Sequence, residues 1–141
     1  MIKFLDTSVL IRILLREENP LRQWHEIQLG VTSQITRVEC YRTLDRLRIV
    51  DVLNDDEHAE KVAEVEDLLS RIDVVRLDKR ILARASESLP TAIGTLDAIH
   101  LVSAMTYRER QPKDEPPIYI ATHDNSLAAC ARNTDFRVIG I

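Results

Sequence analysis

Ile2-Lys3-Phe4-Leu5-Asp6-Thr7-Ser8-Val9-Leu10 is the stretch that decides the fold. Its apolar opening predicts a buried strand over 2–5, the apolar run over 9–15 predicts a helix, and Asp6-Thr7-Ser8 form the join. A strand passing directly into a helix is the opening unit of a parallel α/β sheet. The carboxylate of Asp6 then falls at the C-terminal end of a strand. In such sheets these ends gather along one edge, where ligands bind.

The rest of the chain supplies matching units. Residues 118–122 follow Pro116-Pro117, residues 137–141 follow the polar Asn133-Thr134-Asp135, and both read as buried strands; residues 31–33 and 72–77 give shorter strand signals. Helices are predicted over 21–29, behind Pro20, and over 36–50, where Val38, Tyr41, Leu44, Leu47 and Val50 recur at three-residue steps. Asn54 and Glu57 form a capping box ahead of Val62, Val65, Leu69 and Ile72. Asp78, Thr95 and Asp124 can cap helices that reach Ala85, Tyr107 and Arg132. The segment 108–117, rich in charge and proline, predicts a surface loop. The expected fold class is α/β, with three layers: a central, mainly parallel sheet flanked by helices.

Composition sets the outer bounds. A chain of 141 residues with 45% hydrophobic content suits one domain over 1–141 with a full core. Cys40 and Cys130 make no C-x-x-C pair and the N-terminus is not signal-like, so a reduced, cytoplasmic protein is expected. No apolar stretch approaches the roughly 20 residues needed to span a bilayer, so no membrane partner is expected. The net charge of −4 is unevenly spread: 8 Lys/Arg against 6 Asp/Glu in 1–50, 2 against 9 in 51–75, and 9 against 8 in 76–141. One segment holds the acidity, and a polyanionic partner is permitted elsewhere.

Four carboxylates carry the chemistry. Asp6 closes the first strand, Glu39 lies in the helix over 36–50, Asp97 opens Leu96-Asp97-Ala98-Ile99-His100-Leu101-Val102, and Asp124 follows the strand over 118–122. Taken singly, Asp6 and Asp124 could each be a helix N-cap and Glu39 could sit on a solvated face. Asp97 has apolar neighbours on most sides, where an unpartnered carboxylate is costly. Gathered together, four carboxylates repel one another and need a cation. Hard divalent ions take oxygen ligands, and Mg²⁺ commonly bridges carboxylates to substrate phosphates, which points to phosphodiester chemistry.

The chain resembles the PIN-domain ribonucleases, and among them the small single-domain toxins of VapBC toxin–antitoxin pairs. The matching stretches are Phe4-Leu5-Asp6-Thr7-Ser8-Val9-Leu10, Thr36-Arg37-Val38-Glu39, Leu96-Asp97-Ala98-Ile99-His100-Leu101 and Thr122-His123-Asp124-Asn125-Ser126-Leu127. The resemblance implies that Asp6, Glu39, Asp97 and Asp124 form an acidic metal-binding set, supported by the hydroxyls of Thr7 or Ser8 and Thr122. It further implies Mg²⁺, or Mn²⁺ in its place, as cofactor and an endoribonuclease that hydrolyses RNA with a metal-activated water. A small cognate antitoxin and a homodimer are the implied protein partners.

Polar neighbours have plainer readings. His100, three residues after Asp97, is either a buried structural histidine or a proton relay, and His123 is an exposed loop side chain or a substrate contact. Arg42 either pairs with Glu39 or meets a phosphate. Cys40 reads as a small core side chain, and Trp24 with the few other aromatics forms no stacking platform. A receiver module or a haloacid-dehalogenase-like phosphatase fits less well, since no lysine follows Lys113 and Ser8 stands where a D-x-D motif needs an acid. The alternative of a different class is a catalytically inactive PIN-like RNA-binding or scaffold protein.

Overall fold

In the computed structural model, which describes residues 2–141, five parallel strands form one sheet. The elements run β1 (Ile2–Leu5), α1 (Thr7–Leu14), β2 (Leu29–Ser33), α2 (Ile35–Ile49), α3 (Asp55–Ser70), β3 (Asp73–Val75), α4 (Lys79–Ala85), α5 (Thr95–Arg110), β4 (Tyr119–Ala121), α6 (Asn125–Arg132) and β5 (Arg137–Ile139). The first strand is central. Phe4 pairs with Val31 of β2 on one side and Ile120 of β4 on the other, and all four residues of β1 are buried. The strand order β3-β2-β1-β4-β5 reverses direction at β1, so the C-terminal ends of β1 and β4 flank a switch point where side chains converge.

Two apolar layers enclose the sheet. On one face Phe4, Val31, Leu101, Val102, Ile120 and Leu127 share a core with Ile81 and Phe136. On the other, Leu5, Val9, Leu10, Leu21 and Ala121 pack together, and a third cluster of Leu14, Cys40, Leu44 and Val65 joins α1 to α2 and α3. Helix α5 is buried without interruption from Ala98 to Ala104, the pattern of a helix wedged between layers. It carries Asp97 and His100 toward the sheet edge.

Local rules held where the caps are strong. Asn54 and Glu57 form the reciprocal capping box of α3, and the Asp78 carboxylate accepts from Ile81 N–H at 2.9 Å. Three expectations fail. Residues 21–29 are not a helix: only Trp24–Glu26 make a short 3₁₀ turn, because Leu29 is needed as the ladder partner of Ile2 and strand pairing overrides the helical spacing. Thr95 is not the cap of α5; Gly94 holds that position and Thr95 is the first helical residue. The buried face of α2 is Thr36, Cys40 and Leu44, while Val38 and Val50 are exposed, so the three-residue stripe read from the sequence drifts off the true four-residue contact line.

Gly140 closes the sheet edge. It has φ +98°, and a Cβ there would lie 2.6 Å from the Thr122 carbonyl oxygen. Only glycine supplies that backbone and lets the end of β5 approach the turn after β4.

Candidate active site

Asp6 is buried at the switch point, and the helix-cap reading of it fails: its carboxylate makes no capping hydrogen bond to α1. Instead Oδ2 accepts from the Ser8 hydroxyl at 2.7 Å and from the Thr122 hydroxyl at 2.8 Å. The same two hydroxyls organise the neighbouring turn. Ser8 Oγ accepts the His123 backbone N–H at 3.0 Å, and Thr122 Oγ1 accepts that of Asp124 at 3.0 Å. The ends of β1 and β4 are thereby cross-linked through Asp6.

Asp124 does act as a cap, with Oδ1 accepting from Leu127 N–H at 2.9 Å. Glu39 is half-buried rather than solvated. Its Oε1 accepts from the Thr7 hydroxyl at 2.9 Å and lies 2.6 Å from His100 Nε2. Thr7 Oγ1 is also 3.1 Å from Thr36 Oγ1, which meets Thr32 Oγ1 at 2.7 Å, while the Thr32 hydroxyl donates to the Leu5 carbonyl at 2.7 Å. A relay of threonine hydroxyls thus ties α1, α2 and β2 beneath the acids. Thr32 has a part in it that the sequence did not signal.

In Asp6, Glu39 and Asp124, one carboxylate oxygen is held by these donors. The other accepts no hydrogen bond from the described residues, although Asp6 Oδ1 lies 3.5 Å from His100 Nε2. Asp97, in the first turn of α5, is half-buried, and its carboxyl is pushed up to about 6 by burial first and then by the charges of Asp124, Asp6 and Glu39, with His100 opposing. That response gives the four acids one electrostatic neighbourhood. Burial alone would push His100 down, but the hydrogen bond to Glu39 and the charges of Asp6, Glu39 and Asp97 outweigh it and hold the imidazole above its ordinary range.

Among the described residues, no three His, Cys, Asp or Glu side chains are already clustered closely enough to hold a metal ion. A structural zinc site would need such a cage; Mg²⁺ does not, because it keeps several waters and takes only one or two carboxylates together with substrate phosphates. A set of four carboxylates, in which the Asp97 carboxyl is pushed up by burial and by the charges of the other three, fits a hard divalent cation of this kind.

His100 is buried and lies within the acid cluster, 3.5 Å from Asp6 Oδ1. His123 is half-buried and its ring Nδ1 lies 2.7 Å from the Gly140 carbonyl, so it is not an exposed loop side chain. Arg42 pairs with Asp45 at 3.3 Å and not with Glu39. Cys40 is a core residue whose thiol is pushed up to about 12, by burial and then by Glu39. Beside the site, a cavity of about 450 Å³ is lined by Arg12, Arg22, Gln23, His123 and Gly140.

A family model described as "PIN domain" matches residues 3–133. Ribonuclease VapC46 of Mycobacterium tuberculosis is 34% identical over 104 residues, covering 72% of each chain. Ribonuclease VapC47 of the same organism is 29% identical over 140 residues, covering 94% of this chain and 92% of that protein. The fold is similar to a chain in the crystal structure of VapBC2 from Rickettsia felis bound to a promoter DNA fragment, with TM-score 0.66, 11% identity and coverage of 98% and 97%. It is likewise similar to a chain of FitAcB from Neisseria gonorrhoeae, with TM-score 0.66, 20% identity and coverage of 99% and 96%.

Proposed function

The chain belongs to the PIN-domain family, and on that premise we propose that it is a divalent-metal-dependent endoribonuclease, the toxin of a toxin–antitoxin pair. The observation that carries the reading is geometric: Asp6, held at the end of β1 by Ser8 and Thr122, and Glu39 meet the same buried His100 ring at 3.5 and 2.6 Å, and beside them the Asp97 carboxyl is pushed up first by burial and then by the charges of Asp124, Asp6 and Glu39. The curated relatives are ribonucleases by name, and the similar structures include complexes of toxins with antitoxins. The whole chain, 1–141, acts as one PIN-like nuclease domain.

In this reading Asp6, Asp97 and Asp124 hold the cation, and Glu39 ligates it or orients the attacking water. Mg²⁺ is the proposed ion, with Mn²⁺ able to replace it. Bound there, the ion supplies a lowered pKa for the attacking water and neutralises charge on the leaving oxygen. The chain's own residues do the rest. Ser8 and Thr122 fix the Asp6 carboxylate through Oδ2, leaving Oδ1, which lies 3.5 Å from His100 Nε2, as the oxygen that would meet the ion with no reorganisation. Asp124 is fixed by its own helix. No side chain is required as a covalent nucleophile.

The proposed partners are an RNA substrate, a small cognate antitoxin and a second copy of the chain. An antitoxin arginine or lysine would find in the four acids a ready site for a charge-assisted contact. Among the described residues no helix is long and apolar enough to cross a membrane, and the cytoplasm is the proposed location. The test is cleavage of total RNA with Mg²⁺, Mn²⁺ or EDTA, followed by sequencing of the new ends. Cleavage that needs the ion and disappears in folded Asp6→Asn and Asp97→Asn is expected. Cleavage undiminished in EDTA would overturn the metal-dependent reading, and a folded, inert parent chain would favour the scaffold alternative.

A further inference from the structure

His100 Nε2 lies 2.6 Å from Glu39 Oε1, and the Thr7 hydroxyl lies 2.9 Å from the same oxygen. The hydrogens can be assigned from the surroundings. The Thr32 hydroxyl is spent on the Leu5 carbonyl, so Thr36 donates to Thr32 and can only accept from Thr7. The one Thr7 hydrogen therefore chooses between Thr36 Oγ1 at 3.1 Å and the closer carboxylate oxygen Oε1 of Glu39 at 2.9 Å, and the charge-assisted bond to Glu39 is the stronger. An imidazole with its hydrogen on Nδ1 alone would strand that N–H, because Nδ1 is buried without a partner. With Glu39 ionised, it would also set two lone pairs against each other at 2.6 Å. A hydrogen on Nε2, in the neutral ring or the imidazolium, satisfies Glu39 and costs at most an unmade bond at Nδ1. The ring itself is locked, buried on α5 in a T-shaped pair with Phe4 at 6.3 Å between centroids.

Two donors on one oxygen fix a carboxylate's rotation, as the partners behind a metal ligand do. Among the described residues nothing donates to Glu39 Oε2. We propose that His100 is a positioning residue: its Nε2–H, with the Thr7 hydroxyl, clamps Oε1 of Glu39 and presents Oε2 alone to the divalent cation. The proposal rests on the metal-nuclease reading and adds that α5 serves the site twice, once through Asp97 and once through a histidine that never touches the substrate.

Glutamine at position 100 can carry an amide N–H to the place of Nε2, whereas asparagine reaches only the place of Nδ1. The full-length parent, His100→Gln, His100→Asn, Thr7→Val, Glu39→Gln and the double variant His100→Asn/Glu39→Gln are titrated with Mn²⁺ alone by calorimetry, alongside thermal melts. In His100→Asn, Mn²⁺ affinity should fall by about 10–100-fold, the usual loss when a partner behind a metal ligand is removed. His100→Gln should keep most of the affinity, and His100→Asn should cost nothing further once Glu39 is already glutamine. With RNA, kcat should fall while KM holds. The proposal is overturned if folded His100→Asn binds Mn²⁺ like the parent, if His100→Gln is as impaired as His100→Asn, or if the two losses add in the double variant. Should His100→Asn not fold, Thr7→Val carries the same expectation of weakened binding, and parent-like affinity there overturns the clamp. A parent that binds no Mn²⁺ at all removes the metal reading itself, and this proposal with it.

Discussion

Thr122 donates its hydroxyl to Asp6 Oδ2 at 2.8 Å across 116 residues of sequence, and through that one bond the end of β4 sets the orientation of the acid at the end of β1. The same oxygen, Thr122 Oγ1, also accepts the Asp124 N–H at 3.0 Å. Thr122→Val keeps the shape and removes both bonds. Mn²⁺ affinity should drop by about 10–100-fold, as for other residues that orient a metal ligand. The fold should lose about 1–3 kcal/mol from the polar groups left unsatisfied. Calorimetric titration and a denaturant melt measure the two effects separately.

Asp97 should make the metal-free protein less stable above neutrality. Its folded carboxyl sits at about 6 against 3.8 when unperturbed, so the folded state holds the proton more tightly than the unfolded chain does. Stability from this group is therefore recovered as pH falls from about 7 toward 4, and the cost is full above about 7. Asp97→Asn should raise the midpoint of the metal-free protein at pH 7.5 by the equivalent of on the order of 1 kcal/mol, since a half-buried group is screened by solvent. Melts of parent and variant in EDTA between about pH 3.5 and 8 should converge at the acid end, below the unfolded value of 3.8.

Metal should reverse that order. A ligand that binds only the folded site at a hundred times its dissociation constant stabilises by about 2.7 kcal/mol. Parent protein with Mn²⁺ should therefore melt higher than in EDTA, while Asp6→Asn and Asp97→Asn should show little gain. Equal shifts in all three would place the ion elsewhere.

Arg22 lines the cavity beside His123 and is exposed, so it is placed to meet an RNA phosphate without touching the acids. Arg22→Ala should weaken RNA binding about evenly across sequences and lower the slope of log K against log salt by about 1. Mn²⁺ affinity should stay at the parent value. Fluorescence anisotropy with a labelled RNA over a salt series reads this.

Gly140→Ala should destabilise the fold, because φ +98° disfavours a side chain and the new Cβ would meet the Thr122 carbonyl oxygen at 2.6 Å. The expected loss is at least about 1 kcal/mol. A shift in the Thr122 turn should also lower RNA cleavage, since that turn orients Asp6 and Asp124.

Much was legible locally. The first strand and helix, the capping box at Asn54 and Glu57, and the caps at Asp78 and Asp124 depend on neighbours within a few residues, so spacing alone finds them. The segment 21–29 was misread because its spacing is helical while its fate is set by Ile2, far away in sequence and adjacent in the sheet. The stripe on α2 failed for a related reason: Cys40 and Leu44 bury against Leu14 and Val65, and only that packing shows which of two apolar lines faces inward.

The sequence by itself determined that four acids stand at strand ends or on helices able to face them, since residue type and periodicity are properties of the chain. What tertiary structure alone decided is the state of each acid. Asp6 makes no capping bond because Thr122 and Ser8 reach its carboxylate, Asp124 caps its own helix, and Glu39 is turned by His100 and Thr7 from two other helices. Charge repulsion and hydrogen bonding act over a few ångströms of space, and no spacing along a chain can state which groups, up to 116 residues apart, will share them.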